Sequence, residues 1–160
     1  LGANLITAIL AAAAIGIFEA TIEKVVTLAI LMPIVASMGG IAGMQSLALV
    51  IRSQALDQIG SSNSKLLIFK EASIGFLNGI LWSTVVALAV YFWFDSIFLG
   101  IVIASALMIN LIIGAISGVS LPLVLAKFKI DPALAGGVIL TTITDIVGFI
   151  SLLGIATIIL

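Results

Sequence analysis

Residues 141–148 read Thr-Thr-Ile-Thr-Asp-Ile-Val-Gly and place one carboxylate, that of Asp145, inside the last long apolar segment of the chain. A central Asp costs a membrane-spanning helix about 2.5–3.5 kcal/mol on insertion scales, and ionisable side chains at such positions mark ion or substrate pathways. On a helix, steps of three and four residues from Asp145 place Gly137, Thr141 and Gly148 on its face. The sequence therefore predicts a small, hydroxyl-bearing face around one carboxylate, and Asp145 is the first functional candidate.

The composition of the chain is that of an integral membrane protein. Of its 160 residues, 63% are hydrophobic and 8% are charged, whereas soluble domains are about 45–50% apolar. The chain has no Cys and no His, so thiolate and imidazole metal sites are excluded, and any bound metal must be a hard cation held by oxygens. A net charge of −1 offers no basic surface to nucleic acid. We expect neither an enzyme nor a prosthetic group, because no Ser motif with a plausible base is present.

Apolar segments of about 20 residues, separated by charges and turn residues, predict an all-α integral membrane fold. We expect a single transmembrane domain over residues 1–160, with five spans at about 3–18, 25–52, 72–94, 97–126 and 133–160. Glu19, Glu23 and Lys24 predict a polar turn after the first span. A hydrophilic loop at 57–65 and a short amphipathic segment at 66–71 precede the third span.

The second span carries the other unusual feature, the run Gly39-Gly40-Ile41-Ala42-Gly43-Met44-Gln45. Each glycine weakens a helix by about 1 kcal/mol relative to Ala, so a bend or break is expected here. Such a bend can turn backbone carbonyls toward a pathway, with Gln45 as a neutral polar neighbour. Close helix packing is the alternative use of these glycines. Asn78 and Asn110, in the third and fourth spans, are expected to form hydrogen bonds between helices.

The distribution of cations predicts how the chain crosses the membrane. Five of the six Lys and Arg residues lie beside the second and fourth loops, and these are Arg52, Lys65, Lys70, Lys127 and Lys129. The positive-inside rule assigns those loops to the cytoplasm. In a plasma membrane, five spans then place the N-terminus inside and Leu160 outside. Because the chain starts at Leu1 rather than Met, we expect it to be part of a longer protein.

Several motifs in this order resemble the MgtE family of magnesium channels. The second span contains Pro33-Ile34-Val35, Gly39-Gly40, Gly43 and Gln45-Ser46, followed by Ile51-Arg52; further on come Phe69-Lys70-Glu71, Asp131-Pro132-Ala133-Leu134 and Thr144-Asp145 with Gly148. The likeness covers essentially the whole chain. Three family asparagines are absent, because Ile41, Met44 and Gly137 stand at their positions.

This resemblance implies a five-helix domain that forms a homodimer in the bilayer, with one central pore lined by the second and fifth helices. The family aspartate that aligns with Asp145 meets its symmetry mate in the pore and holds hydrated Mg²⁺, and the position of Thr141 contributes a backbone carbonyl. The expected pore-lining residues are Gly39, Gly40, Gly43, Gln45, Gly137 and Gly148. The resemblance also implies cytosolic regulatory domains upstream of the first helix.

The leading prediction is therefore a dimeric pathway for divalent cations, most of all Mg²⁺, with Asp145 and Thr141 as metal ligands. A secondary transporter that couples cation movement to H⁺ or Na⁺ through Asp145 is an alternative, and a membrane scaffold that transports nothing is another. In the scaffold, Asp145 would only form a hydrogen bond between helices. Asp131, beside Pro132, is predicted either to cap the last helix or to contribute to an inner gate.

Overall fold

A computed structural model describes residues 2–56 and 64–159, and the regular structure of those residues is helical throughout. The helices are α1 (Gly2–Gly16), α2 (Glu19–Lys24), α3 (Thr27–Ala55), α4 (Ser64–Phe94), α5 (Ile97–Lys127) and α6 (Pro132–Ile159). Within the described residues, α3, α4, α5 and α6 are each long and apolar enough to cross a membrane. The all-α membrane class predicted from the sequence is thus confirmed. Residues 57–63 of the predicted hydrophilic loop lie outside the described residues.

Helix α5 is the centre of the bundle, and α3, α4 and α6 all pack against it. Glycines four residues apart make these contacts close: Gly39 and Gly43 on α3, Gly75 and Gly79 on α4, Gly114 and Gly118 on α5. A Cβ atom built on Gly114 would lie 2.6 Å from the carbonyl oxygen of Gly39, which is far inside van der Waals contact. Since lipid tails are as apolar as Leu, such close backbone packing is what holds membrane helices together.

The second span does not break at its glycine run, so the prediction of a break is wrong. Helix α3 continues from Thr27 to Ala55 and includes both Pro33 and the glycine run. Gly39 and Gly43 are buried against α5. The packing they permit with α5 therefore compensates for their weak helix propensity.

Helix α1, where the first span is predicted, is shorter than the four long helices. At 1.5 Å per residue, α1, with 15 residues, is about 22 Å long, which is less than the hydrocarbon core of about 30 Å. The predicted polar turn at Glu19, Glu23 and Lys24 is instead the short helix α2. The hydroxyls of Thr21 on α2 and Thr157 on α6 lie 2.7 Å apart and share a hydrogen bond, which fixes α2 beside the C-terminal end of α6.

The amphipathic segment predicted at 66–71 is not a separate element, because α4 runs without interruption from Ser64 to Phe94. The fourth and fifth predicted spans agree with α5 and α6 to within one residue at each described end. Their boundaries were predictable because a turn with two Lys residues and an Asp-Pro pair separates them.

Helix α5 ends in a Schellman motif, a turn that satisfies its last carbonyl groups. The backbone N–H of Lys129 donates to the carbonyl of Ala126 at 3.1 Å, and that of Ile130 donates to Leu125 at 3.0 Å. Lys129 occupies the left-handed position of this motif, with φ of 58°. Glycine is the residue usually found there because it has no Cβ to clash.

Replacing Lys129 with Gly is therefore expected to stabilise the protein by about 0.5–1 kcal/mol, because the left-handed conformation costs an L-residue about 1–2 kcal/mol. Lys127→Gly removes the same charge from the last turn of α5 and is expected to destabilise by about 1 kcal/mol. Thermal unfolding of both variants in detergent micelles measures the difference. A lower melting temperature for Lys129→Gly than for the parent would contradict this assignment.

Candidate cation site between α3 and α6

An open groove of about 560 Å³ lies between α3 and α6. Asp145 and Thr141 line it from α6, and Gly40 and Gln45 line it from α3. The remaining lining residues, all on α3, are Ala36, Ser37, Ile41, Met44 and Ala48. The structure therefore brings together the predicted metal ligands and two of the predicted pore-lining residues.

The Asp145 side chain is half-buried at the wall of this groove. Among the residues that the structure describes, none donates a hydrogen bond to its carboxylate. A carboxylate placed in a membrane helix only to bind a neighbouring helix would need such a donor. With respect to the described residues, Asp145 thus has both carboxylate oxygens free to accept bonds from the contents of the groove.

The hydroxyl groups on α6 are oriented by the backbone of the same helix. The Thr141 hydroxyl donates to the carbonyl of Gly137 at 3.0 Å, which leaves its oxygen lone pairs able to accept from the groove. The buried Thr144 hydroxyl lies 3.1 Å from the Thr141 carbonyl and donates to it. Thr141 is exposed to the groove and can bind the water shell of an ion through its hydroxyl oxygen.

The other predicted pore-lining glycines lie at contacts between helices. Gly39 and Gly43 face α5, and Gly148 is buried beside Val35 and Asn110. Gly137 faces Met44, whose Cε atom would be 3.6 Å from a Cβ at that position. Gly40 differs from Gly39 and Gly43, because a Cβ there would be 3.6 Å from the Thr144 hydroxyl oxygen, where α3 and α6 meet at the groove.

Asn110 is fully buried where α3, α5 and α6 meet. Its Nδ2 atom donates to the carbonyl of Val35 on α3 at 2.8 Å, which confirms the predicted interhelical hydrogen bond. Any Cβ on Gly39 would collide with the Asn110 side chain, and one on Gly148 would lie 2.8 Å from Nδ2. Glycines on two helices therefore make room for one amide on the third.

Two further features bear on the site. Asp131 caps α6, because its Oδ1 atom accepts a hydrogen bond from the backbone N–H of Ala133 at 2.9 Å, as the Asp-Pro pair predicted. Ser37 also lines the groove, and it is not among the site residues predicted from the sequence. The signal was available, since Ser37, Ile41, Gln45 and Ala48 recur at three- and four-residue steps along one face of α3.

Comparison with known proteins assigns this chain to a family. Residues 32–155 match the family model MgtE, described as "Divalent cation transporter". This range contains every residue that lines the groove. The chain belongs to the MgtE family. Three relatives named "Magnesium transporter MgtE" are similar to it: the Bacillus subtilis protein is 40% identical over 89% of this chain, that of Thermus thermophilus 29% over 89%, and that of Enterococcus faecalis 28% over 88%.

The aligned segment covers less than half the length of each of those MgtE proteins. The chain spans about a third of their length, 32%, 32% and 31% in the same order. The MgtE match begins at residue 32, inside α3, and ends at residue 155, inside α6. The groove and the glycine contacts of α3, α4 and α5 all fall within this segment.

Proposed function

We propose that this chain forms the membrane pathway of a divalent-cation transporter, with Mg²⁺ as its main substrate and Asp145 as the central ligand. The observation that carries this proposal is the groove between α3 and α6, which is lined by Thr141, Gly40, Gln45 and a carboxylate that accepts no hydrogen bond from any described residue. The family description and the names of the relatives support the choice of ion. Because the chain has no Cys and no His, its side-chain and backbone oxygens are the main metal ligands it offers, and these suit a hard cation.

A second copy of the chain completes the site in this proposal. The groove is open along one side, and Asp145, Thr141 and Gln45 are polar groups that would face lipid if that side were uncovered. Polar and ionisable side chains in membrane spans face the protein interior or a water-filled cavity instead. A homodimer that joins two such grooves encloses them as one aqueous pore, with α3 and α6 of both subunits as its walls.

Electrostatics favour a divalent ion between paired Asp145 carboxylates. At about 8 Å separation and an effective dielectric of about 20, the two carboxylates repel by roughly 2 kcal/mol. A divalent ion about 4–5 Å from each carboxylate, through water, gains on the order of 7 kcal/mol per carboxylate before desolvation. Because Mg²⁺ dehydrates reluctantly, an open groove with hydroxyl oxygens fits its hydrated form.

The proposed membrane topology rests on the distribution of Lys and Arg residues. Arg52 and Lys70 lie near the α3–α4 connection and Lys127 and Lys129 near the α5–α6 connection, so these two connections are cytoplasmic. In a plasma membrane, α1 and α2 together then form the first crossing, from a cytoplasmic N-terminus, and α6 ends outside. Upstream cytosolic domains and an inner-gate role for Asp131, beyond its helix cap, are part of this proposal.

Ion flux into liposomes tests the proposal directly. The full-length protein that contains this chain is reconstituted, and uptake of Mg²⁺, Ca²⁺, Mn²⁺ and Na⁺ is compared under the same membrane potential. Saturable uptake with Mg²⁺ as the best substrate is expected. No flux of any of the four ions above that of protein-free liposomes would support a scaffold and overturn the proposal.

A coupled transporter is the second candidate, because Ile41 and Met44 line the groove where the family resemblance implies asparagines. Apolar groove walls hold hydration water less firmly than amides do. Under this alternative Asp145 exchanges H⁺ or Na⁺ for the divalent ion. Mg²⁺ uptake that does not respond to an imposed pH or Na⁺ gradient would eliminate it.

Thr141→Val is expected to lower the Mg²⁺ uptake rate about fivefold, because the variant loses one groove-facing acceptor worth about 1 kcal/mol. Thr141→Ser keeps the hydroxyl and is expected to retain the parent rate. Thr142→Val is the matched control, since the Thr142 hydroxyl donates to Val138 and does not line the groove. Equal rates for Thr141→Val and the parent would remove the Thr141 hydroxyl from the proposed site.

A further inference from the structure

A second cavity lies beside the groove, between α3 and α4, and Ala115 of α5 also lines it. Its volume is about 140 Å³, and it is lined by the side chains of Glu71 and Asn78 from α4 and of Ser46 and Gln45 from α3. Gln45 lines the large groove as well. The cavity is therefore a separate site whose wall is shared with the Asp145 groove.

Glu71 is the unusual group in this cavity, because it is a carboxylate only 7% exposed inside a membrane-spanning helix. The Ser46 hydroxyl donates to its Oε2 atom at 2.7 Å. None of the six Lys and Arg side chains, all within the described residues, forms an ion pair with it. A buried carboxylate normally has a cationic partner or binds a metal.

The groups around Glu71 are oxygen ligands for a hard cation. Ser46 offers a hydroxyl oxygen, and Gln45 and Asn78 offer amide oxygens that accept no hydrogen bond from any described residue. Asn78 also lies on the exposed face of α4, so the cavity is not closed off from the surface of the bundle.

The charge and size of the cavity select the class of ion. A single carboxylate is neutralised by a monovalent cation, whereas a divalent ion would leave one uncompensated positive charge at a partly dehydrated site. The cavity has a quarter of the volume of the Asp145 groove, and Mg²⁺ retains several of its waters. We propose that Glu71, Ser46, Gln45 and Asn78 form a binding site for a small monovalent cation of the Na⁺ type.

This assignment of a ligand to Glu71 stands apart from the proposed Mg²⁺ pathway, because the two carboxylates belong to different cavities. The shared residue, Gln45, gives the sites a physical connection: an ion that draws the Gln45 amide toward Glu71 removes it from the groove. Bound Na⁺ is therefore expected to alter Mg²⁺ affinity at the groove, and by linkage Mg²⁺ alters Na⁺ affinity by the same factor.

Equilibrium binding of radioactive sodium to the purified full-length protein tests the site. The parent and Asp145→Asn are expected to bind Na⁺ saturably and alike, with choline as the inert replacement ion. Glu71→Gln is expected to weaken binding at least about tenfold, since it removes the only charge among the ligands. Asn78→Ala, at an exposed position without a described hydrogen bond, is expected to weaken binding without affecting folding.

Three results would overturn the proposal. Unchanged binding in a folded Glu71→Gln or in Asn78→Ala would exclude the cavity, and loss of binding in Asp145→Asn alone would move the ion to the groove. No saturable binding by the parent would leave Glu71 as a helix-to-helix contact only. Each result is separate from the proposed function, because Mg²⁺ uptake is measured in its own assay and depends on Asp145.

Discussion

Asp145→Asn is expected to reduce Mg²⁺ uptake by more than about 100-fold, to the rate of protein-free liposomes. The substitution keeps the shape of the side chain and removes one charge from each subunit at the proposed centre of the pore. Each carboxylate contributes on the order of 7 kcal/mol to holding a divalent ion before desolvation, and every 1.4 kcal/mol corresponds to a factor of ten. The uptake rate is measured by adding Mg²⁺ outside the proteoliposomes and following its entry with a fluorescent Mg²⁺ indicator trapped inside them.

The fold of this variant is expected to be unaffected, because no described residue donates a hydrogen bond to Asp145. Asp95→Asn is the matched control. Asp95 lies in the connection between α4 and α5, with φ of 49°, a conformation that Asn also tolerates. Uptake should fall in the first variant and persist in the second at equal melting temperatures. Parent-like uptake by Asp145→Asn would remove this carboxylate from the pathway.

Gly118→Ala is expected to be the most destabilising single-methyl change in the bundle. A Cβ on Gly118 would collide with the carbonyl oxygen of Gly43 and would lie 2.9 Å from the Cβ of Ser46 and 3.1 Å from the backbone nitrogen of Leu47. Because two of these atoms are backbone, no rotamer change relieves the contacts, and α3 must move away from α5. Overpacking of this kind costs about 1–3 kcal/mol or more.

Gly154→Ala provides the comparison for that loss. A Cβ on Gly154 would be 3.8 Å from the Phe18 ring, an ordinary contact, and Ala is the better helix former by about 1 kcal/mol. Thermal unfolding in one detergent should therefore shift down for Gly118→Ala and up for Gly154→Ala. Similar melting temperatures for both variants would contradict the close backbone contact between α3 and α5 at Gly118.

The sequence was sufficient to predict the four long helices and the neighbours of Asp145 on α6. Segment length against membrane thickness determines the helices, and the 3.6-residue period determines that Thr141 shares the face of Asp145. These are local properties of one segment. They do not depend on knowing which helix lies opposite.

The roles of individual glycines could not be predicted in this way. A glycine run on α3 suits a pore wall and a helix contact equally well, and only the position of α5 distinguishes Gly40, in the groove, from Gly39 and Gly43, against α5. The sequence pattern places Glu71 in a polar segment ahead of the third span, because charged residues precede it. Its burial became evident only from the contact of α4 with Ser46 on α3.

The Asn110 junction has a consequence for how a pathway built on these helices can open. Its amide is bound to the Val35 carbonyl, and its Oδ1 atom is buried without a partner among the described residues. Sliding α3 or α6 past α5 would break the one bond this amide makes or drive its side chain into a glycine backbone. In the proposed homodimer, each subunit is thus expected to behave as a stiff body, so that the proposed pore would widen by one whole subunit tilting against the other.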